Sequence, residues 1–382
     1  MDIDHSKIAQ ECIEAFHKQY RELKKLNIII VGKTGVGKST LINSLFRGHF
    51  SDTGLGRPIT KEIRIREKPD FPLAIYDTPG FELGKEQQSN VKHGIQELIT
   101  KGIASNDINQ AIHCIWYCIN VGSNRTLDDS EIEWIKSLTQ GGNTARVPII
   151  IVLTQAYPRS KALEMKASIE AENLDVVKVI PVLAQDVNFD DEYTIKAYGL
   201  DTLVELMGEV LPKELQKTFQ YLQQASLAAK KKYAQGIVAA TVAASFGEGF
   251  VPMKVSDAAL LIPTQVTMIA GISLVFGLDL YKSFLIGFVS STIGTVSATL
   301  IGKKVVTTLL SLFSKLGKLA SGIVSGAVAG VLTTALGEAY IQIMTMVYTG
   351  EMSQQDFEDD AGKEKMNEIY RDELRKRHVP FV

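Results

Sequence analysis

Gly32-Lys33-Thr34-Gly35-Val36-Gly37-Lys38-Ser39 separates two segments of different character. Before it runs Asn27-Ile28-Ile29-Ile30-Val31, a β-branched run that reads as a fully buried strand. After it runs Thr40-Leu41-Ile42-Asn43-Ser44-Leu45-Phe46, with apolar residues at helical spacing. Strand, G-x-x-x-x-G-K-[ST], helix is the sequence context of a phosphate-binding P-loop. Its glycines let backbone N–H groups turn inward around phosphate oxygens, and the following helix points its positive end at them. In that reading Lys38 reaches the β- and γ-phosphates, and the Ser39 hydroxyl binds Mg²⁺.

From residue 27 to about 212 strands and helices alternate, which implies a mostly parallel sheet with helices on both faces. Strands are expected at 27–31, 61–66, 71–76, 110–119, 147–154 and 176–183, and helices at 38–47, 89–104, 128–140, 161–172 and 199–210. In 61–66, Ile63 and Ile65 alternate with Arg64 and Arg66, the pattern of a half-exposed edge strand.

Asp77-Thr78-Pro79-Gly80 directly follows the apolar run Leu73-Ala74-Ile75-Tyr76. A carboxylate at that strand end can hold Mg²⁺ through water. Gly80 can bring its N–H to a γ-phosphate, so that loops 48–60 and 77–92 sense the phosphate. A plain Asp-Thr-Pro-Gly β-turn fits the local chemistry but not the spacing. Thr60, ahead of the edge strand, is the candidate to complete the Mg²⁺ shell, with Thr53 its competitor; Arg57 can reach developing phosphate charge or be merely solvated. Base recognition is expected where the strand Ile149-Ile150-Ile151-Val152-Leu153 ends in Thr154-Gln155-Ala156-Tyr157. A [NT]-K-x-D pattern would supply a guanine-reading carboxylate there; this chain keeps the Thr, puts Gln155 in place of Lys and offers no carboxylate. After the next strand, the Ala184 N–H can meet a guanine oxygen, and Asp186 is a substitute carboxylate.

These residues carry a resemblance. Residues 32–40, Thr60-Lys61-Glu62-Ile63, Asp77-Thr78-Pro79-Gly80-Phe81 and His113-Cys114-Ile115-Trp116-Tyr117-Cys118 together resemble the Era-like branch of translation-factor-class GTPases. The loop wording also resembles immunity-related, septin and plastid-import GTPases. A second resemblance, carried by Phe250-Val251-Pro252, Ser256 to Leu260, Pro263-Thr264-Gln265 and Gly277, is to a hydrophobic C-terminal domain of unknown function that follows Era-like G domains in bacteria. The Thr-Gln pair also looks like that group's. The resemblance implies GTP/GDP and Mg²⁺ as ligands. It implies Lys38, Thr60 and Gly80 as catalytic candidates, and Ser39, Thr60 and Asp77 at the metal. The nucleotide is expected against Gly32, Lys33, Thr34, Gly35, Val36, Gly37, Lys38, Ser39, Thr40, Asp77, Gly80, Thr154, Gln155 and Ala184. Phe81 stands where some relatives hold a water-orienting glutamine, and Gly35 where potassium-activated ones carry asparagine. Slow intrinsic GTP hydrolysis, raised by self-association or a partner, is the expectation.

The rest of the chain bounds the setting. Its 382 residues suggest two domains, and 45% apolar content is globular. A net charge of −2 argues against a nucleic-acid partner. Three cysteines form no disulfide framework and suit a reducing, cytoplasmic setting; no signal peptide is read at the acidic start Met1-Asp2-Ile3-Asp4. His113, Cys114 and Cys118 lack the further ligands of a zinc site and read as buried strand residues.

Residues 1–26 read as an amphipathic helix, with Ile8, Cys12, Phe16, Tyr20 and Leu23 on one face; docking on the C-terminal helices is preferred to a place on the nucleotide domain. Residues 213–350 read as an all-α hydrophobic helical domain opening with one long helix, Lys213 to Lys232. Four stretches follow with almost no charge: 233–247, 258–278, 283–302 and 319–337. Two are long enough to cross a bilayer, for which about 20 apolar residues suffice, and a short Asp279-Leu280-Tyr281-Lys282 link between 258–278 and 283–302 implies an antiparallel hairpin. Membrane lipid is therefore an expected partner. Against it stand the Gly, Ala, Ser and Thr content and the small face around Gly322, Gly326 and Gly330, which also suit a bundle pairing with a second copy. Residues 351–382 read as a charged tail helix, solvated or docked on 1–26. The function expected is a Mg²⁺-dependent GTP switch whose helical domain acts at a membrane or in self-assembly, as a homodimer or larger. A soluble assembly factor for protein or ribosomal partners and a nucleotide-gated pore are the rivals.

Overall fold

The computed structural model describes residues 4–48, 57–58, 63–79, 85–123, 127–140, 147–189, 192–246, 253–254, 262–298, 323–324 and 326–377. The chain divides into two compact units, Leu23–Ala229 and Met1–Glu22 with Lys230–Val382.

The first unit holds a seven-stranded sheet of order β2-β3-β4-β1-β5-β6-β7. β1 (Leu26–Gly32) lies between β4 (Leu73–Pro79) and β5 (Cys114–Asn120), parallel to both; β6 (Ile149–Thr154) and β7 (Lys178–Pro181) continue the parallel run. β2 (Arg57–Pro58) and β3 (Arg64–Glu67) add on antiparallel beyond β4. Of the alternating segment, residues 64–66 lie in β3, one strand in from the edge, with two-residue β2 outside it. All seven residues of β1 are buried, as a β-branched run covered on both sides should be.

The period of two along the strands assigns the faces. Ile29, Val31, Ile115, Tyr117, Ile151 and Leu153 face one core, shared with Val91 and Ile95 of α3 (Lys85–Ala104), Trp134 and Ile135 of α4 (Asp129–Gln140) and Met165 of α5 (Arg159–Ala171). Trp116, between Ile115 and Tyr117, points the other way. It stacks on Phe46, just past α2 (Lys38–Leu45), with ring centroids 5.7 Å apart, and meets Met207 of α6 (Leu200–Val210). Helix α4 starts where Asp128 and Glu131 cap each other: Glu131 N–H donates to Asp128 Oδ1 (2.9 Å) and Asp128 N–H to Glu131 Oε2 (2.8 Å). A hairpin of β8 (Val187–Phe189) and β9 (Tyr193–Ile195) follows β7.

The expected long helix from Lys213 to Lys232 is two helices, α7 (Lys213–Leu222) and α8 (Leu227–Phe246). Buried Gln223 breaks it: its side chain accepts the Ser226 N–H (2.9 Å) and donates to Ser226 O (3.0 Å), satisfying the turn locally. Arg47 N–H donates to Leu222 O and Gln224 N–H to Leu45 O, so α7 is stitched to the end of α2. Leu215 and Phe219 are fully buried, and Phe219 meets Phe46 edge-on at 6.3 Å. The first unit therefore runs to Ala229, past the boundary at 212 read from the sequence.

In the second unit, α1 (His5–Arg21) is capped by Asp4, whose carboxylate accepts the Lys7 N–H at 3.0 Å. It packs on α9 (Ile262–Phe276) and α10 (Lys282–Ala298), and Gln19 donates to Thr267 O. α9 buries nearly all of its residues from Gln265 to Phe276, as a helix apolar all round must. α11 (Gly326–Thr349) packs on α9, and α12 (Asp360–Lys376) on α10 and α11, so the tail helix docks on the helical core rather than standing in solvent. A two-residue ladder joins β10 (Met253–Lys254) to β11 (Ile323–Val324). Among the described residues no helix is long and apolar enough to cross a membrane; the stretch 258–278 yields a helix of 15 residues, short of the roughly 20 required. Ser321, Gly322 and Ser325 of the small-residue face lie outside the described residues.

Candidate functional site

Parallel strands β1, β4, β6 and β7 end on the same edge of the sheet, where ligands of such sheets bind. The loop 33–37 crosses this edge. Gly35 and Gly37 take left-handed conformations, with φ of 80° and 98°, open to glycine at no steric cost. Gly32 is needed for another reason: a Cβ there would come within 2.7 Å of Cys118 O on β5. Gly37 ends the loop as the N-cap of α2 and, with no side chain, offers no oxygen to the first turn's N–H groups. Those amides and the helix dipole suit an anion. Ser39 and Thr40 are exposed in that first turn, as are Thr34 and Gly35; Lys33 is partly exposed and Val36 is buried.

Lys38 curls over the loop. Its Nζ donates to Gly32 O and to Lys33 O (3.2 Å) and lies 3.8 Å from Asp77 Oδ1. Asp77 reaches this position because β4 pairs with β1 in a register that sets Asp77 beside Ile30, two residues before Gly32. Thr78 anchors the strand end by donating to Ile30 O. The structure thus brings Lys38 and Asp77 together, with Ser39 next to Lys38 on α2. Gly80, Thr60, Thr53 and Phe81 lie outside the described residues, and of Arg57 only the backbone is described.

Thr154 and Gln155 act on the loop itself. Buried Thr154 Oγ1 donates to Val36 O (2.6 Å) and sits 3.1 Å from Ile119 O. Gln155, in a left-handed conformation with φ 49°, donates its amide to Gly35 O (3.1 Å). A glutamine amide ties down the loop carbonyl without the positive charge a lysine would bring. Ala156 is buried, its N–H donates to Val182 O, and its carbonyl accepts the Tyr198 hydroxyl. Tyr157 packs edge-on against Phe189, which stacks on Tyr193 at 4.9 Å. Ala184 follows Leu183, which bridges Tyr198, and is partly exposed at the same edge. Asp186 is engaged by Lys196 Nζ and Ala197 N, both at 2.8 Å, which hold its carboxyl below the usual range; its oxygens serve the β8–β9 hairpin.

Sequence reasoning missed Arg66. Its Nη2 donates to Asp77 Oδ2 at 2.6 Å. The signal was the alternation of Ile63-Arg64-Ile65-Arg66, but which arginine meets Asp77 depends on a cross-strand register that one strand does not reveal.

Magnesium takes hard oxygen ligands, keeps several waters and draws one or two groups from protein, the rest from phosphates. The Ser39 hydroxyl and the Asp77 carboxylate, the latter within 4 Å of the loop lysine, are a donor set of that chemistry. His113, Cys114 and Cys118 make no such set. Burial pushes the Cys118 thiol up to about 12 and Cys114 up as well, and the His113 ring is engaged by backbone at both nitrogens.

Residues 27–155 match the sequence profile of the 50S ribosome-binding GTPase family. The chain is 28% identical over 162 residues to Cell division control protein 10 of Saccharomyces cerevisiae, covering 35% of this chain and 48% of that protein. It is 26% identical over 191 residues to GTPase Era of Clostridium botulinum, covering 49% and 55%. The chain spans about half the length of the curated relatives it matches. Among solved structures, a probable GTP-binding protein engB is similar at 20% identity and a TM-score of 0.32, over 48% of this chain and 97% of that one. The unit built on the 32–39 loop is an Era-like P-loop GTPase domain.

Proposed function

We propose that the chain is a Mg²⁺-dependent GTP-binding switch that hydrolyses GTP slowly by itself. Its helical unit is the output, acting in self-assembly or at a membrane surface. One observation carries the reading: Lys38 and Asp77 meet within 4 Å at the mouth of a glycine-shaped loop that opens a helix.

The residues divide the work. Backbone amides of 33–40 and the Lys38 ammonium bind the phosphates and neutralise charge that develops as the γ-phosphoryl leaves. Ser39 and Asp77 would hold Mg²⁺, with Thr60 completing the shell; bound there, the ion would offset the negative charge of the phosphates. Thr154 and Gln155 fix the loop carbonyls so that its N–H groups stay turned toward the ligand. Gly80, just past Asp77 in the sequence, senses the γ-phosphate, and the Ala184 N–H, beyond the end of β7, meets the base. Phe81 has no polar atom with which to orient the attacking water, so that group has to come from another copy or a partner.

The test is single-turnover GTP hydrolysis by the full chain across protein concentration. The expected rate is slow at low concentration and rises as copies associate. A fast rate independent of concentration would contradict the reading.

A further inference from the structure

Asp77 is claimed by two cations of the chain. Arg66 Nη2 donates to Oδ2 at 2.6 Å, and Lys38 Nζ stands 3.8 Å from Oδ1. Both members of the Arg66–Asp77 pair are less than one-fifth exposed, at 19% and 18%, so water screens the pair weakly. The cross-strand register explains the contact. Arg64 lies opposite Asp77 and Arg66 opposite Ile75, which sets Arg66 and Asp77 as diagonal neighbours on one face, within reach of a long side chain.

The manner of the contact matters. A guanidinium holds a carboxylate best through two parallel N–H groups. Here one nitrogen does the holding, and Arg66 Nε is buried with no hydrogen-bond partner among the described residues. The pair is a strong single bond, not a locked fork, and it occupies the carboxylate a magnesium ion would use. A divalent cation and a guanidinium on one carboxylate repel each other.

We propose that Arg66 is a positioning residue that competes with Mg²⁺ for Asp77. Loading of the Mg²⁺–nucleotide draws Asp77 away from Arg66 and so couples the metal to β3, the strand that follows the 48–60 loop. Without the metal, Arg66 neutralises a carboxylate that would otherwise repel the phosphates. The proposal rests on the reading that this loop binds a Mg²⁺–nucleotide.

The experiment measures affinity of the full chain for a fluorescent GDP across a Mg²⁺ titration and in EDTA. Wild type is compared with Arg66→Gln and Arg66→Lys. In Arg66→Gln the half-saturating Mg²⁺ concentration is expected to fall about tenfold, the size of one charge-assisted hydrogen bond. Binding in EDTA weakens, so the ratio of affinities with and without Mg²⁺ rises. Arg66→Lys moves the ratio the same way by less, and it decides the matter if the glutamine variant does not fold. A ratio unchanged or lowered in the folded variants would overturn the proposal, because a merely structural arginine alters both affinities alike. If wild type bound no nucleotide under either condition, the proposed function itself would fall, and this inference with it.

Discussion

His113 is 5% exposed at the start of β5, where its Nδ1 accepts the Asn27 N–H at 3.0 Å. Its Nε2 then carries the proton and donates to Ile108 O at 2.9 Å. Desolvation lowers its pKa to about 4, against smaller upward pulls from the Ile108 and Asn27 backbone bonds. The folded chain thus resists a proton that the unfolded chain accepts near 6.5. The neutral ring's contribution is fully present above about pH 6.5 and is lost as the pH falls toward 4, by roughly 3 kcal/mol at the limit. Urea midpoints between pH 7.5 and 4.5 should fall more steeply for wild type than for His113→Gln; parallel slopes would show that the buried ring is not the cause. The same scale shows what the chain's text reveals and what it conceals. Gly32 and Gly37 are legible because a close approach to Cys118 O and a left-handed turn each demand glycine, and Lys38 because it completes the G-x-x-x-x-G-K pattern. Arg66 and Gln155 do not, because their partners, Asp77 and Gly35 O, lie 11 and 120 residues away in sequence.

Helices and strands follow from local pattern where one face must be buried, so the alternation from 27 to 210 was legible almost element by element. The break between α7 and α8 was not, because Gln223 and Ser226 satisfy each other only when the chain turns, and both are ordinary in a helix sequence. In the helical unit, apolar text such as 258–278 looks alike in lipid and in a protein core; the neighbours decide. Small residues there mark close helix approach. A Cβ on Gly337 of α11 would lie 2.5 Å from Val238 Cγ2 on α8 and 3.1 Å from Met268 Sδ on α9. Met268 can yield, but β-branched Val238 is stiff. Gly337→Ala should therefore lower stability by about 1–3 kcal/mol despite its better helix propensity, and Val238→Ala in the same chain should recover part of that loss. Thermal unfolding of the two variants checks this; a stabilised Gly337→Ala would show that the helices are not in contact there.

At the scale of the molecule, both termini belong to one unit and the nucleotide domain is inserted between them. The sequence hinted at this through apolar stripes at each end, but the edge of the nucleotide domain at Ala229 depends on contacts between α7 and the end of α2. A segment spanning 23–229 should unfold cooperatively, and one ending at 212 should lose several kcal/mol, since it strips Phe219 from Phe46 and removes the buried Leu215. Equal melting temperatures for the two would place α7 outside that core. The account as a whole depends on the grip of one loop on a triphosphate. The direct measurement is Mg²⁺–GTP affinity of the full chain beside a folded Lys38→Ala variant. We predict a loss of about one hundredfold, the worth of a charge-assisted contact to phosphate; equal affinity in the two proteins would contradict it.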